Sequence, residues 1–91
     1  MENKLIIIII TYNPNISRLK LVINFAYWAS DNIYIVDNNS SNFSDLTYLL
    51  TQYNKINFTQ LNRNMGLAGT FNKFIDQFQL NKKNIIHGFY I

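Results

Sequence analysis

Residues 5–10, Leu-Ile-Ile-Ile-Ile-Ile, form an unbroken apolar run that limits the folds open to this chain. A strand with one face in water alternates apolar and polar residues, whereas this run has no polar position. It is also too short to cross a bilayer, which takes about 20 apolar residues in a helix. The run therefore predicts a strand buried on both faces, as in a parallel sheet covered by helices.

Apolar residues at helical spacing recur three times after this strand. The first helix follows Asn13-Pro14, with Asn13 or Asn15 as its cap and Pro14 in its first turn. The three stripes are Ile16, Leu19, Val22, Ile23 and Ala26; Phe43, Leu46, Leu50 and Tyr53; and Leu67, Phe71, Phe74, Ile75 and Phe78. Further strands are predicted at residues 33–36, 56–61 and 85–91.

The resulting βαβαβαβ order predicts an α/β domain with a Rossmann-like parallel sheet and right-handed crossovers. The 91 residues make one domain at most. The chain has no cysteine and one histidine, His87, which excludes disulfides, thiolate metal sites and histidine clusters. The net charge of +3 is spread along the chain, which argues against nucleic acid and fits an anionic ligand or membrane surface.

Polar clusters follow the first three predicted strands, at the edge where open α/β sheets bind ligands. They are residues 11–13, 37–40 and 62–66. The carboxylate of Asp37 could accept hydrogen bonds from a ribose hydroxyl or a base N–H. Gly66 lets the backbone approach a ligand, and the helix that begins near Leu67 points free N–H groups toward phosphate. Arg63 could add positive charge beside a diphosphate.

Each cluster also has an ordinary structural explanation. Asp, Asn and Ser dominate turns, so residues 37–40 alone fit a turn and a helix cap. Tyr27 and Trp28 are expected to pack rather than to hold a sugar. The chain contains neither Gly-x-Gly-x-x-Gly nor Gly-x-x-x-x-Gly-Lys, which removes the main support for a dinucleotide-binding or P-loop protein.

Taken together, the three clusters resemble the motifs of family 2 glycosyltransferases, which have the GT-A fold. Residues 7–14, Ile-Ile-Ile-Ile-Thr-Tyr-Asn-Pro, resemble the opening of these enzymes. Residues 35–40, Ile-Val-Asp-Asn-Asn-Ser, resemble their second-strand motif, and residues 62–72, Asn-Arg-Asn-Met-Gly-Leu-Ala-Gly-Thr-Phe-Asn, resemble their third. The resemblance covers essentially the whole chain. It is closest to the rhamnosyltransferase-like branch, which builds bacterial surface polysaccharides.

The resemblance implies a nucleotide diphosphate sugar as the donor, with dTDP-rhamnose as the candidate. The residues implied to bind it are Thr11, Tyr12, Asp37, Asn38, Asn64, Gly66 and Asn72. The first two would line the nucleotide pocket, and Asp37 would read the base or the ribose. The pair Asn64 and Gly66 would shape the loop beside the nucleotide, and Asn72 would face the site from its helix.

The resemblance also implies parts that this sequence lacks. The family carries an Asp-x-Asp motif after the fourth strand, which holds Mg²⁺ or Mn²⁺ against the leaving diphosphate. No Asp-x-Asp occurs here, and Arg63 replaces the acidic residue typical of its position. Residues 1–91 are therefore expected to be the nucleotide-binding half of a GT-A domain. They would lack the metal-binding and acceptor-binding half, and would hold no catalytic residue and no metal ligand.

We expect this partial, cytoplasmic glycosyltransferase to be inactive alone. The full-length enzyme would act on a saccharide or lipid-linked acceptor, with peripheral association at the inner face of the membrane left open. Two other function classes also stay open. One is a non-catalytic nucleotide-binding or interaction module. The other is a structural domain whose polar strand ends are only turns, in which Asp37→Ala would leave nucleotide affinity at zero, as in the parent chain.

Overall fold

The computed structural model describes residues 5–78 and 85–91, and these residues alternate between strands and helices. The elements are β1 (Leu5–Thr11), α1 (Ile16–Ala29), β2 (Asn32–Asp37), α2 (Phe43–Leu50), β3 (Ile56–Gln60), α3 (Gly66–Phe78) and β4 (Ile85–Tyr90). The predicted α/β class and element order are confirmed. Strand bounds differ from the predicted ones by one residue at each end at most, as expected for strand ends, but α2 ends at Leu50, so Tyr53 of its predicted stripe lies beyond the helix.

All four strands are parallel, in the spatial order β3-β2-β1-β4. The strand β1 is central: its Ile9 pairs with Ile35 of β2 on one side and with Phe89 of β4 on the other. The chain adds β2 and β3 on one side of β1 and then returns to place β4 on the opposite side. A topological switch point therefore lies between β1 and β4, where α/β sheets open a crevice for ligands.

Both faces of β1 are buried, as the apolar run predicts. Ile7 and Ile9 pack with residues of α1 and α2 on one face of the sheet. Ile8 and Ile10 pack on the other face, with Phe74 of α3. The helices before and after the switch point thus cover opposite faces of the sheet, as in a doubly wound fold.

Two details of α1 correct the sequence-based expectations. The helix is capped by Asn15, whose Oδ1 accepts a hydrogen bond from the backbone N–H of Arg18 at 3.0 Å. Pro14 therefore lies before the cap and not in the first turn. Asn13, the residue before it, turns the chain with a positive φ of 46°. Tyr27 packs against the ring of Tyr53, but the expectation that Trp28 packs is wrong, since 84% of it is exposed.

Among the described residues, no helix combines the length and the apolar character that a membrane span requires.

Candidate functional site

A hydrogen bond between two fully buried side chains joins the ends of β1 and β2. The hydroxyl of Thr11 donates to Oδ1 of Asp37 at 2.6 Å, and neither residue has exposed surface. The backbone N–H of Asn38 also donates to the carbonyl oxygen of Thr11 at 2.8 Å. Because the strands are parallel and in register from Ile6 to Thr11, both polar residues arrive at the same edge of the sheet.

The carboxylate of Asp37 accepts three further hydrogen bonds from within the chain. Ser40 donates its hydroxyl to Oδ1 at 2.5 Å and its backbone N–H to Oδ2 at 2.8 Å, and Gln60 donates its amide to Oδ2 at 3.4 Å. Both carboxylate oxygens are therefore engaged, and the ends of β1, β2 and β3 meet at this group. Contact of Asp37 with a base or a ribose stays a prediction, and a ligand would have to replace one of these donors.

Asn38 connects the end of β2 to the loop before α3 and to the first two turns of that helix. Its Oδ1 accepts hydrogen bonds from the backbone N–H of Met65 at 3.2 Å and from the hydroxyl of Thr70 at 2.6 Å. Its Nδ2 donates to the carbonyl oxygen of Gly66 at 3.4 Å. The sequence reasoning missed Thr70, which is fully buried. A polar residue beside the apolar stripe of α3 was the signal that could have identified it.

The loops that follow β1 and β2 are bonded to each other. Asn13 and Asn39 both adopt positive φ angles, 46° and 64°, which asparagine tolerates better than most residues. The backbone N–H of Asn13 donates to the hydroxyl oxygen of Ser40, and its Oδ1 accepts from the backbone N–H of Ser41 at 2.7 Å. These turns set the position of the hydroxyl that Ser40 donates to Asp37.

Gly66 begins α3 in a conformation that favours glycine. Its φ is 71°, and its N–H donates to Oδ1 of Asn64 at 2.8 Å. A Cβ built on Gly66 would meet no atom of the described residues within 4 Å. The backbone conformation, and not crowding by the protein, therefore explains the glycine, and the space beside it is open to a ligand.

Of the remaining predicted residues, Tyr12 and Asn64 lie on the exposed rim of this edge, and Asn72 lies further along α3. Tyr12 is 42% exposed, and its backbone N–H donates to the carbonyl oxygen of Ile91, which connects it to the residue after β4. Asn64, Asn72 and Arg63 are exposed as well. The structure thus divides the predicted site into a buried, hydrogen-bonded frame and an exposed rim. It shows no hydrogen bond from Asn72 to the other described residues of the site.

An apolar groove of 520 Å³ adjoins the rim at the switch point. This β1–β4 groove is lined by Ile10, Leu67, Ala68, Phe71, Gly88, Phe89 and Tyr90. Its volume lies within the range of about 300–1,000 Å³ typical of small-molecule sites. Gly88 pairs with Ile8 and leaves the floor of the groove free of a side chain. The sequence reasoning missed this role, although a glycine inside a strand is a signal of close approach.

The described residues do not fit the Mg²⁺ or Mn²⁺ site of the glycosyltransferase family. Within residues 5–78 and 85–91, no group of three or more His, Asp or Glu side chains could hold a metal ion. Divalent cations of this kind take several oxygen ligands, and Asp37 already accepts four hydrogen bonds on its two oxygens.

The chain matches no protein-family model, no curated protein and no solved structure. The likeness to family 2 glycosyltransferases accordingly rests on the three strand-end motifs and on their placement in the fold.

Proposed function

We propose that this chain is the donor-binding part of a glycosyltransferase, and that it binds the nucleotide of a nucleotide diphosphate sugar. One observation carries the proposal. The three segments that resemble glycosyltransferase motifs meet at the carboxyl edge of a parallel sheet, where Thr11, Asp37 and Asn38 connect them by hydrogen bonds. This edge flanks the switch point between β1 and β4, the usual ligand crevice of such sheets.

In this proposal the buried residues form the frame and the exposed rim contacts the donor. Tyr12 offers an exposed ring for a base, and Asn64 and Gly66 form the loop beside the nucleotide. The first turn of α3 presents backbone N–H groups that suit phosphate, and the exposed Arg63 adds positive charge. The adjoining β1–β4 groove offers an apolar surface to the less polar face of the ligand.

We expect donor binding without sugar transfer from these 91 residues, because the sequence contains no Asp-x-Asp motif. Transfer to a saccharide or lipid-linked acceptor, with Mg²⁺ or Mn²⁺, is proposed only for an enzyme that includes the other half of the fold. We also propose that this enzyme is cytoplasmic and lies at the inner face of the membrane. The first donor to test is dTDP-rhamnose.

The test is calorimetric titration of the purified chain with dTDP, UDP and GDP. A Gly66→Asn variant keeps the positive φ at small cost, because asparagine tolerates it, and places a side chain in the open space of the site. We expect this variant to bind more weakly than the parent chain. An Asn54→Ala variant, changed at the amino edge of the sheet, should bind like the parent. A folded parent chain that binds none of the three nucleotides would contradict the proposal.

A second candidate function is a non-catalytic interaction module, which the outer edge of β4 favours. The described residues pair β4 with β1 alone, and its sequence, Ile-Ile-His-Gly-Phe-Tyr, contains no Lys, Arg, Asp, Glu or Pro to protect the open edge. Size-exclusion chromatography separates the candidates. A chain that self-associates and binds no nucleotide would support the interaction module.

A further inference from the structure

The helix α1 carries a line of exposed apolar side chains on the side that faces away from the core. Leu21, Phe25 and Trp28 are spaced four and three residues apart, and they are 70%, 49% and 84% exposed. Residues with this spacing lie on one face of a helix. The buried residues of α1, Leu19, Ile23 and Ala26, have the same spacing and each precedes an exposed one by two positions, which places them on the opposite face. We call the exposed line the α1 stripe.

A helix that is apolar on two opposite sides is normally covered on both. The core covers only one side of α1 here. The ring of Phe25 touches Trp28 and the edge of Phe89, with centroid distances of 6.2 and 6.1 Å, so the aromatic members are held in contact. The single tryptophan of the chain thus stands in water at the end of an ordered apolar surface.

The charges that α1 itself carries are basic, while Asp45 of α2 lines a groove together with Lys20. Ile16–Ala29 contains Arg18 and Lys20 and no acidic residue. Both cations are exposed, and Arg18 stands three residues before Leu21 and therefore on the same face of the helix. Asp31, just beyond the helix, is already paired with Lys55 at 3.1 Å. Tryptophan, phenylalanine and leucine flanked by cations are the composition of helices that lie in the surface of a membrane.

The exposed area favours a lipid surface over a second copy of the chain. Since an aromatic side chain has about 150–250 Å² of surface, the three exposed side chains offer roughly 400 Å². A standard protein interface buries about 800 Å² on each partner. Two copies would also bring together two net charges of +3, whereas an anionic membrane attracts both the stripe and the charge.

We propose that the α1 stripe docks the chain on an anionic lipid surface, with Leu21, Phe25 and Trp28 inserted at the level of the headgroups. This inference rests on the α1 stripe and the net charge of the chain, and it deepens the membrane location of the proposed function without depending on nucleotide binding. Three apolar side chains and two cations give weak, reversible association, since stable anchoring requires more than one such signal. The interaction would therefore strengthen with the anionic lipid content and weaken with added salt.

The test is sedimentation of the whole chain with vesicles of phosphatidylcholine alone or mixed with phosphatidylglycerol, followed by the fluorescence of Trp28. We expect co-sedimentation and a shift of emission to shorter wavelength with the anionic vesicles, and several-fold weaker binding to the neutral ones. Leu21→Asp should lower binding to the anionic vesicles by roughly tenfold, because it removes one inserted side chain and adds a negative charge.

Tyr48→Asp is the matched control for the added charge, because Tyr48 is 74% exposed on α2, outside the stripe but in a groove that it lines with Lys20, and the change in charge is the same. We expect it to lose clearly less binding than Leu21→Asp, because no inserted side chain is removed, with both variants folded by circular dichroism. Equal losses in the two variants, equal binding to neutral vesicles, or no binding to either would overturn the proposal. A shift of Trp28 emission that depends on protein concentration without lipid, together with the mass of a dimer, would also overturn the proposal. That result would assign the stripe to contact with a second copy of the chain.

Discussion

Thr11 and Asp37 form a fully buried hydrogen bond of 2.6 Å at the point where β1 and β2 end. The acceptor is a carboxylate, and hydrogen bonds to charged groups are about twice as strong as neutral ones. The same carboxylate orders the turn at Ser40 and reaches Gln60 at the end of β3. The strand-end cluster is thus a structural element of the fold as well as the frame of the candidate site.

Thr11→Val tests the strength of this frame. Valine keeps the shape of threonine and removes one of the four donors to Asp37, so we expect the free energy of unfolding to fall by about 1.5–3 kcal/mol. Urea denaturation followed by circular dichroism measures it. Thr59→Val is the control, because the hydroxyl of Thr59 makes no hydrogen bond to the residues that the structure describes and valine suits a strand. Equal losses of unfolding free energy in the two variants would show that the hydrogen bond from Thr11 to Asp37 does not contribute the expected stability.

Asn38→Ala removes the connection between β2 and α3. The backbone N–H of Met65 and the buried hydroxyl of Thr70 would lose their acceptor, so we expect a loss of about 2–4 kcal/mol in the free energy of unfolding. The exposed Asn72 on α3 gives the control: Asn72→Ala should change stability by less than about 0.5 kcal/mol. The comparison can be made by thermal denaturation, and a stable Asn38→Ala protein would contradict the assignment.

The sequence patterns predict the fold class and the element order well. Burial of β1 on both faces requires its continuous apolar run, and burial of one face of each helix requires an apolar stripe. They do not predict the position of β4 beside β1, since nothing local encodes which edge a later strand joins. They place Asp37 at the ligand edge but not inside a network of four hydrogen bonds. That network depends on the turns in which Asn13 and Asn39 adopt positive φ angles. Many other sequences form turns after a strand, so these residues alone do not predict this arrangement.

Lys55 stabilises the C-terminal end of α1 from the start of β3. Its ammonium group lies 3.3 Å from the carbonyl oxygen of Ser30 and 4.5 Å from the centre of the Tyr27 ring. A cation at this end of a helix interacts favourably with the helix dipole. We expect Lys55→Met to lower the free energy of unfolding by about 1 kcal/mol. Asp31→Asn should have a smaller effect in the same urea titration, because Asp31 is 95% exposed.

Tyr53 should make stability depend on pH in alkaline solution. Burial, and then the neighbouring phenol of Tyr27, raise the pKa of Tyr53 above its ordinary value of 10.0. Above pH 10.0 the unfolded chain therefore loses this proton while the folded chain keeps it. The contribution to stability is present below pH 10.0 and is lost as the pH rises through the folded-state pKa.

Unfolding by urea on either side of pH 10.0 measures this dependence. Tyr53→Phe should flatten it at a small cost, since the phenol also donates a hydrogen bond to Asn24 at 3.0 Å. Tyr48→Phe changes an exposed tyrosine and should leave the dependence as it is. A parent chain whose stability does not fall above pH 10.0, or a Tyr53→Phe protein with the same slope, would remove Tyr53 as the cause.

The most direct test of the proposed donor site is a map of backbone amide shifts as dTDP is titrated into the isotope-labelled chain. We expect shifts at Tyr12 and Gly66, at the carboxyl edge of the sheet, and at Asn72 on α3, and none at Asn54 and Lys55 on the amino edge. A folded chain whose amides do not respond to saturating dTDP, UDP or GDP, or respond only at the amino edge, would contradict it.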